Sequence, residues 1–169
     1  ANAAWEDAAG GGGITEADQW RLNSNFTDDL DPITANLERV DTGGFGHLGT
    51  GMGHTSGIFT FPSTGYWLIT FTTTASHGAA DTSWNNRIVT TVNYTADTPT
   101  WVNAARGHSQ SYTGGTNAMV TCSFLFDVTA VATHKVRFGV TDLGSSDVIN
   151  GSTGDNLTYM TFLKLGATD

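Results

Sequence analysis

One cysteine and three prolines stand in a chain of 169 residues, and its only lysines are Lys135 and Lys164. Each scarcity excludes something. A lone Cys122 cannot close an intrachain disulfide. It lies in AMVTCSFLFDV, where Val120, Cys122, Phe124, Phe126 and Val128 alternate onto one face, the setting of an inert core thiol. Seven basic residues face sixteen acidic ones, and the resulting net charge of −9 is spread along the chain. A phosphate backbone would find little to hold, which excludes nucleic acid as a partner. No apolar run approaches the ~20 residues that span a bilayer. The start ANAAWEDAAGGGG lacks the basic and apolar regions of a secretion signal, so the reading is of a soluble protein with no membrane partner.

Chemistry is scarce as well. The serines sit in turn clusters such as LGSSD rather than at a nucleophile elbow. The tracts GGGG and GTGMG are not framed by a strand and a long helix and have no lysine after them, so neither reads as a phosphate loop. The expectation is an enzyme-free chain with no catalytic residues and no cofactor. Asp28, Asp29 and Asp31, like Asp147 and Asp155, lack calcium-loop spacing and read as solvated turn acids.

What the chain has in abundance is short β-type runs. From residue 43 onward, segments such as SGIFTFP, GYWLITFTTTA, NRIVTTVNYT, TWVNAAR, AMVTCSFLFDV, HKVRFGVTDL and NLTYMTFLKLG are each about strand length, divided by Gly, Asn, Asp and Ser. No helix-period segment longer than a few turns follows residue 40, which excludes a parallel βαβ layering. The pattern is that of an all-β, antiparallel sandwich in one domain.

Upstream, residues 1–13 are Ala/Gly-rich, with Trp5 their one aromatic, and they form an arm that lies either against another chain or back on its own domain. In ITEADQWRL, Thr15 precedes Asp18 by three residues, an N-cap signal that predicts a short helix of about two turns. Ile33, Leu37 and Val40 fit helical spacing, yet NLERV alternates like a strand, and periodicity does not separate the two. The division expected is 1–35 as anchoring arm and short helix, and 36–169 as the sandwich.

The stretch GIFTFPSTGYWLITF, residues 57–71, describes a corner. Phe59 and Phe61 share one face of a short strand, Pro62 ends it, and Gly65 permits the turn. Trp67, Ile69 and Phe71 then share one face of the next strand, with Tyr66, Leu68 and Thr70 on the other. Both faces are largely apolar, so a second sheet or a second subunit must cover the surplus one.

This corner resembles the second-strand signature of the C1q and tumour necrosis factor type jelly roll, matched by Gly57, Phe59, Thr60, Pro62, Gly65, Trp67 and Phe71. FGHLGTG resembles the family's preceding strand. NLTYMTFLKLG resembles its closing strand through Tyr159, Thr161, Phe162, Leu163 and Leu165. The resemblance implies a homotrimer in which one sheet of each protomer packs around a threefold axis, with Phe59, Trp67, Ile69, Phe71, Tyr159, Phe162 and Leu163 as interface or core. His47 and His54 could meet their copies on such an axis, but no Cys/His spacing surrounds them, and no metal site is expected.

ITEADQWRL, NLERVDT and GTGM, followed by the corner, also look like structural proteins of marine tailed phages. That likeness implies a virion component: a trimeric decoration or cement protein on the capsid surface, held to the major capsid protein by an arm bearing Trp5, Ile14 and Trp20. Two alternatives stay open. One is a trimeric fibre knob that binds a cell-surface glycan through loops at Trp84 or Trp101, residues that suit either sugar stacking or capping of the core. The other is a secreted C1q-like module, which would carry glycans at Asn25 or Asn93, two of the four Asn-x-Ser/Thr triplets.

Overall fold

The computed structural model describes residues 13–77, 82–94, 98–111 and 117–168. Eleven strands run through it: β1 Ala17–Leu22, β2 Leu37–Arg39, β3 Gly53–Thr55, β4 Ile58–Thr60, β5 Gly65–His77, β6 Thr82–Thr91, β7 Val102–Ser111, β8 Asn117–Val128, β9 Lys135–Thr141, β10 Asp147–Ile149 and β11 Tyr159–Gly166. None of the described residues is helical. The helix expected over ITEADQWRL is therefore a correction, because that segment is the strand β1. The ambiguous NLERV also resolves as a strand, β2.

Two antiparallel sheets face each other. In the first, β2, β1, β11 and β5 are neighbours, β10 takes the end of β5 beyond β11, and β8 lines the other side of β5. The order in the second is β3–β4–β9–β6–β7. Between them lies an aromatic core in which Phe59 meets Phe138 at 5.4 Å, Phe162 at 5.3 Å and Trp20 at 5.4 Å. Asn86, buried on β6, ties the sheets by donating to Phe71 O (3.2 Å) and Val120 O (3.0 Å) while accepting from Gly107 N (3.0 Å). A buried amide with its bonds made costs little, whereas an unsatisfied one would be expensive.

The corner takes the form its residues predict. At Gly57 φ is +79°, and a Cβ there would stand 2.4 Å from Ile33 O; at Gly65 φ is +139°, and a Cβ would stand 2.3 Å from Gly166 O. Only glycine fits either place. Trp67 Nε1 donates to Ser63 O (3.2 Å) and Lys164 Nζ to Ser63 Oγ (2.9 Å), closing the turn onto β5 and β11.

β1 owes its place to a buried carboxylate. Asp18 faces inward and accepts from Arg39 Nε (3.1 Å), Trp20 Nε1 (3.0 Å) and Met52 N (2.7 Å), while Arg39 Nη2 donates to Met52 O (2.6 Å). One side chain thus joins β1, β2 and the loop before β3. On the opposite face of β1, Arg21 is buried under its own partners, Glu38 at 2.7 Å and Thr42 at 3.0 Å.

Cys122 faces the core opposite Phe71, and burial raises its thiol pKa to about 11. At pH 8 the native thiol should react with a disulfide reagent at least tenfold more slowly than in urea. Equal rates in the two conditions would contradict its burial.

Candidate functional site

In a two-sheet sandwich the faces left over are the two outward ones, and they differ here. On the first sheet the register places Leu125, Leu68, Leu163, Ala17 and Leu48 side by side as one apolar row across five chain segments. Leu125 is 53% exposed and Leu48 49%. Beside the row runs a band of hydroxyls, where Thr70 meets Ser123 (3.2 Å), Thr72 meets Thr121 (2.9 Å) and Gln19 Nε2 donates to Thr161 Oγ1 (3.3 Å). Tyr159 stands between Thr72 and Arg21, and Met119, 66% exposed, lies on β8 beyond the hydroxyl band. At the β7–β8 edge a cavity of about 380 Å³ opens among Val92, Val102, Phe124 and Phe126.

The residues expected at an interface or core separate cleanly between these environments. Phe59, Trp67, Ile69, Phe71 and Phe162 are buried between the chain's own two sheets. For them the interface half of the expectation is corrected: the second sheet, not another subunit, covers the Trp67 face. Tyr159 and Leu163 point outward from the first sheet and are half-buried. Leu68, Leu125 and Leu48 belong with them, although only Leu68 could be assigned from an alternating pattern.

Trp84 needs a further correction. It is 0% exposed, lies against His77 (4.7 Å between ring centroids) and donates from Nε1 to Thr73 Oγ1 (3.1 Å), so it caps the core rather than presenting a sugar platform. His77 in turn pairs with buried Asp147, Nδ1 to Oδ1 at 2.8 Å. Trp101 is half-buried, with the Arg137 guanidinium 4.5 Å from its ring centroid. Of the three arm residues, Trp20 is built into β1 and the core rim, Ile14 is exposed just upstream of β1, and Trp5 lies outside the described residues.

Two of the acidic turn residues, Asp29 and Asp31, have structural partners. Asp29 accepts from Asp142 N (3.0 Å) and Leu143 N (2.9 Å), and Asp31 pairs with Arg87 (3.2 Å). Among the described residues no three His, Cys, Asp or Glu side chains converge as a metal site.

His54 Nε2 accepts from Gly57 N (3.1 Å) in the β3–β4 turn, and its ring packs on Phe59 and Trp20. Burial lowers its pKa below the ordinary 6.5. The unfolded chain therefore binds this proton first, so the His54 contribution to stability is present above about pH 6.5 and is lost progressively as pH falls below that value and through the lower folded pKa. The drop in thermal midpoint between pH 7 and pH 5 should be smaller in His54→Gln than in the unaltered chain. An identical drop would contradict this role.

The two-sheet fold superposes on solved structures over most of its length. A structure of Eiger TNF from S. frugiperda superposes with a TM-score of 0.66 at 11% identity, covering 93% of this chain and 96% of that one. The fold is a TNF-like jelly roll. Murine APRIL at pH 5.0 gives a TM-score of 0.62 at 12% identity, covering 89% of this chain and 98% of that one. No protein-family model and no curated protein matches the chain by sequence. In the jelly roll seen here, the sheet that carries the apolar row is the one that contains β1, β11, β5 and β8.

Proposed function

We propose that this chain is a non-enzymatic structural protein that works as a homotrimer, its first sheet turned toward the threefold axis. The observation that carries the reading is the apolar row Leu125–Leu68–Leu163–Ala17–Leu48 on an outward sheet face. Contiguous apolar surface of this kind marks an interaction site, and a cyclic arrangement lets the row of one copy meet the β7–β8 edge of the next. Met119 and the Phe124–Phe126 cavity lie along that edge and supply the complementary apolar surface. Arg21 is already satisfied by Glu38 and Thr42, so it adds no unpaired charge to the packed face.

On the phage-like motifs of the sequence, the place of this trimer is the outside of a tailed-phage capsid. The segment before β1 is its attachment to the major capsid protein, with Trp5 and Ile14 as anchors. That segment leaves the fold beside Ala17, at the apolar row itself, so three copies would emerge together around the axis. Three weak attachments acting jointly bind far more tightly than one. Mass spectrometry of purified phage particles should find the chain in multiples of three per site, released when residues 1–12 are deleted. Its absence from particles would overturn the capsid assignment while leaving the trimer to be judged separately.

A further inference from the structure

The outward face of the second sheet carries a pocket that self-association through the first sheet leaves open. Thr55 pairs with Ile58, Ile58 with Arg137 and Thr60 with Lys135, so these side chains point away from the core residues Phe59 and Val136 between them. Thr55, Ile58, Thr60 and Lys135, together with Ser56 and Tyr94, line a cavity of about 370 Å³. Three segments far apart in sequence build it.

Lys135 makes this pocket unusual. The residue is only 8% exposed, and its Nζ donates to one carbonyl, Val131 O at 2.7 Å. An ammonium has three donors, so two N–H groups remain for an occupant. Arg21, Arg39, Arg87 and Arg137 all have a carboxylate within reach, at distances from 2.7 to 3.7 Å. Lys135 has none among the described residues, and no acidic side chain lines the cavity, in a chain whose net charge is −9. Burial without a counter-ion disfavours the charged form, and the Lys135 pKa is accordingly lowered. An anionic group entering the pocket would supply that missing partner.

The remaining walls narrow the class of anion. The Tyr94 ring centroid lies 5.8 Å from Lys135 Nζ, so a group held by the ammonium has an aromatic surface beside it. Thr55, Ser56 and Thr60 also line the cavity and bring hydroxyl-bearing side chains to its walls. A stacking surface, several hydroxyls and one unpaired cation together match a pyranose that bears a carboxylate. Trp101 meets Tyr94 edge-on at 6.1 Å between centroids and steadies that ring from outside the cavity.

We infer that the Thr55–Thr60–Tyr94–Lys135 pocket binds an acidic monosaccharide unit, its carboxylate on Lys135 and its ring against Tyr94. This site is independent of the trimer and of any capsid attachment.

Chemical-shift titrations of the full chain with sodium glucuronate, glucose and sodium sulfate test it. Glucuronate should perturb the amides of 55–60, 94 and 135 and bind at least tenfold more tightly than either of the others. Lys135→Met and Tyr94→Leu should each weaken glucuronate at least tenfold. Thr55→Val, a change on a short edge strand that leaves the core untouched, should weaken it severalfold with an unchanged thermal midpoint. Sulfate binding as tight as glucuronate and indifferent to Tyr94→Leu would overturn the sugar assignment in favour of a simple anion site. Equal binding of glucose, or no response to any probe, would overturn the proposal outright. Self-association, read by light scattering on the same samples, stands or falls separately.

Discussion

Asp18→Ala is expected to cost the fold about 3 kcal/mol, because it strips the acceptor from four donors at once. Arg39, Trp20 Nε1, Met52 N and Gln19 N all lose their bond to a carboxylate that is almost wholly buried. Arg39 is partly exposed and can recover water, which keeps the loss at the lower end of the range for a broken buried pair. Urea unfolding at one fixed protein concentration measures it, since self-association would otherwise shift the midpoint. Asp18→Asn keeps an acceptor and should lose roughly half as much. A change under about 0.5 kcal/mol for the alanine variant would show that β1 is not held by this residue.

Leu125→Asp is the second large effect, and it should appear in mass rather than in stability. Leu125 points away from the core, so the chain should fold with an unaltered far-ultraviolet spectrum. A carboxylate set beside Leu68 in a packed interface would be a buried, unpaired charge, which no assembly of this size tolerates well. Light scattering should then report the single-chain mass of 17.8 kDa. Val131→Asp, at an exposed loop position remote from the apolar row, should leave the assembly intact. If the two substitutions behave alike, the apolar row is not the contact.

Much of the sandwich was legible because its punctuation is chemical. Gly57 and Gly65 can be replaced only at a cost in backbone geometry, Pro62 has no N–H for a ladder, and the three mark the β4–β5 corner in the sequence as plainly as in space. Where the sequence misleads, over β1 and at the start of β6, the cause is shared: a polar residue on the inward face. In β1 the inward series is Asp18, Trp20, Leu22, and the carboxylate breaks the alternation while supplying a false helix cap with Thr15. In β6 it is Trp84, Asn86, Ile88, and Asn86 makes the strand look as if it begins after Trp84. Both groups are buried because they are fully hydrogen-bonded, a property that belongs to the tertiary structure and leaves no mark on periodicity.

The candidate sites show the same division. That one face of β5 was surplus could be read from Tyr66-Trp67-Leu68-Ile69 alone, but not which face, since both are apolar. The decision rests on what each opposes: Trp67, Ile69 and Phe71 meet the second sheet, whereas Leu68 lines up with Leu125 and Leu163. Leu48 joins that row through a single bridge to Ala17, a pairing no local pattern announces. The Lys135 pocket was invisible for a related reason. Its walls come from residues 55–60, 94 and 135, which only the β4–β9 pairing brings together.

The claim on which the functional account depends is that the apolar face of the first sheet is closed by further copies of the chain. The most direct test is the molar mass of the unaltered protein by light scattering across a hundredfold range of concentration. The account predicts a constant mass of three times 17.8 kDa. A single-chain mass throughout would leave the row Leu125–Leu68–Leu163–Ala17–Leu48 without its proposed cover and would contradict the account.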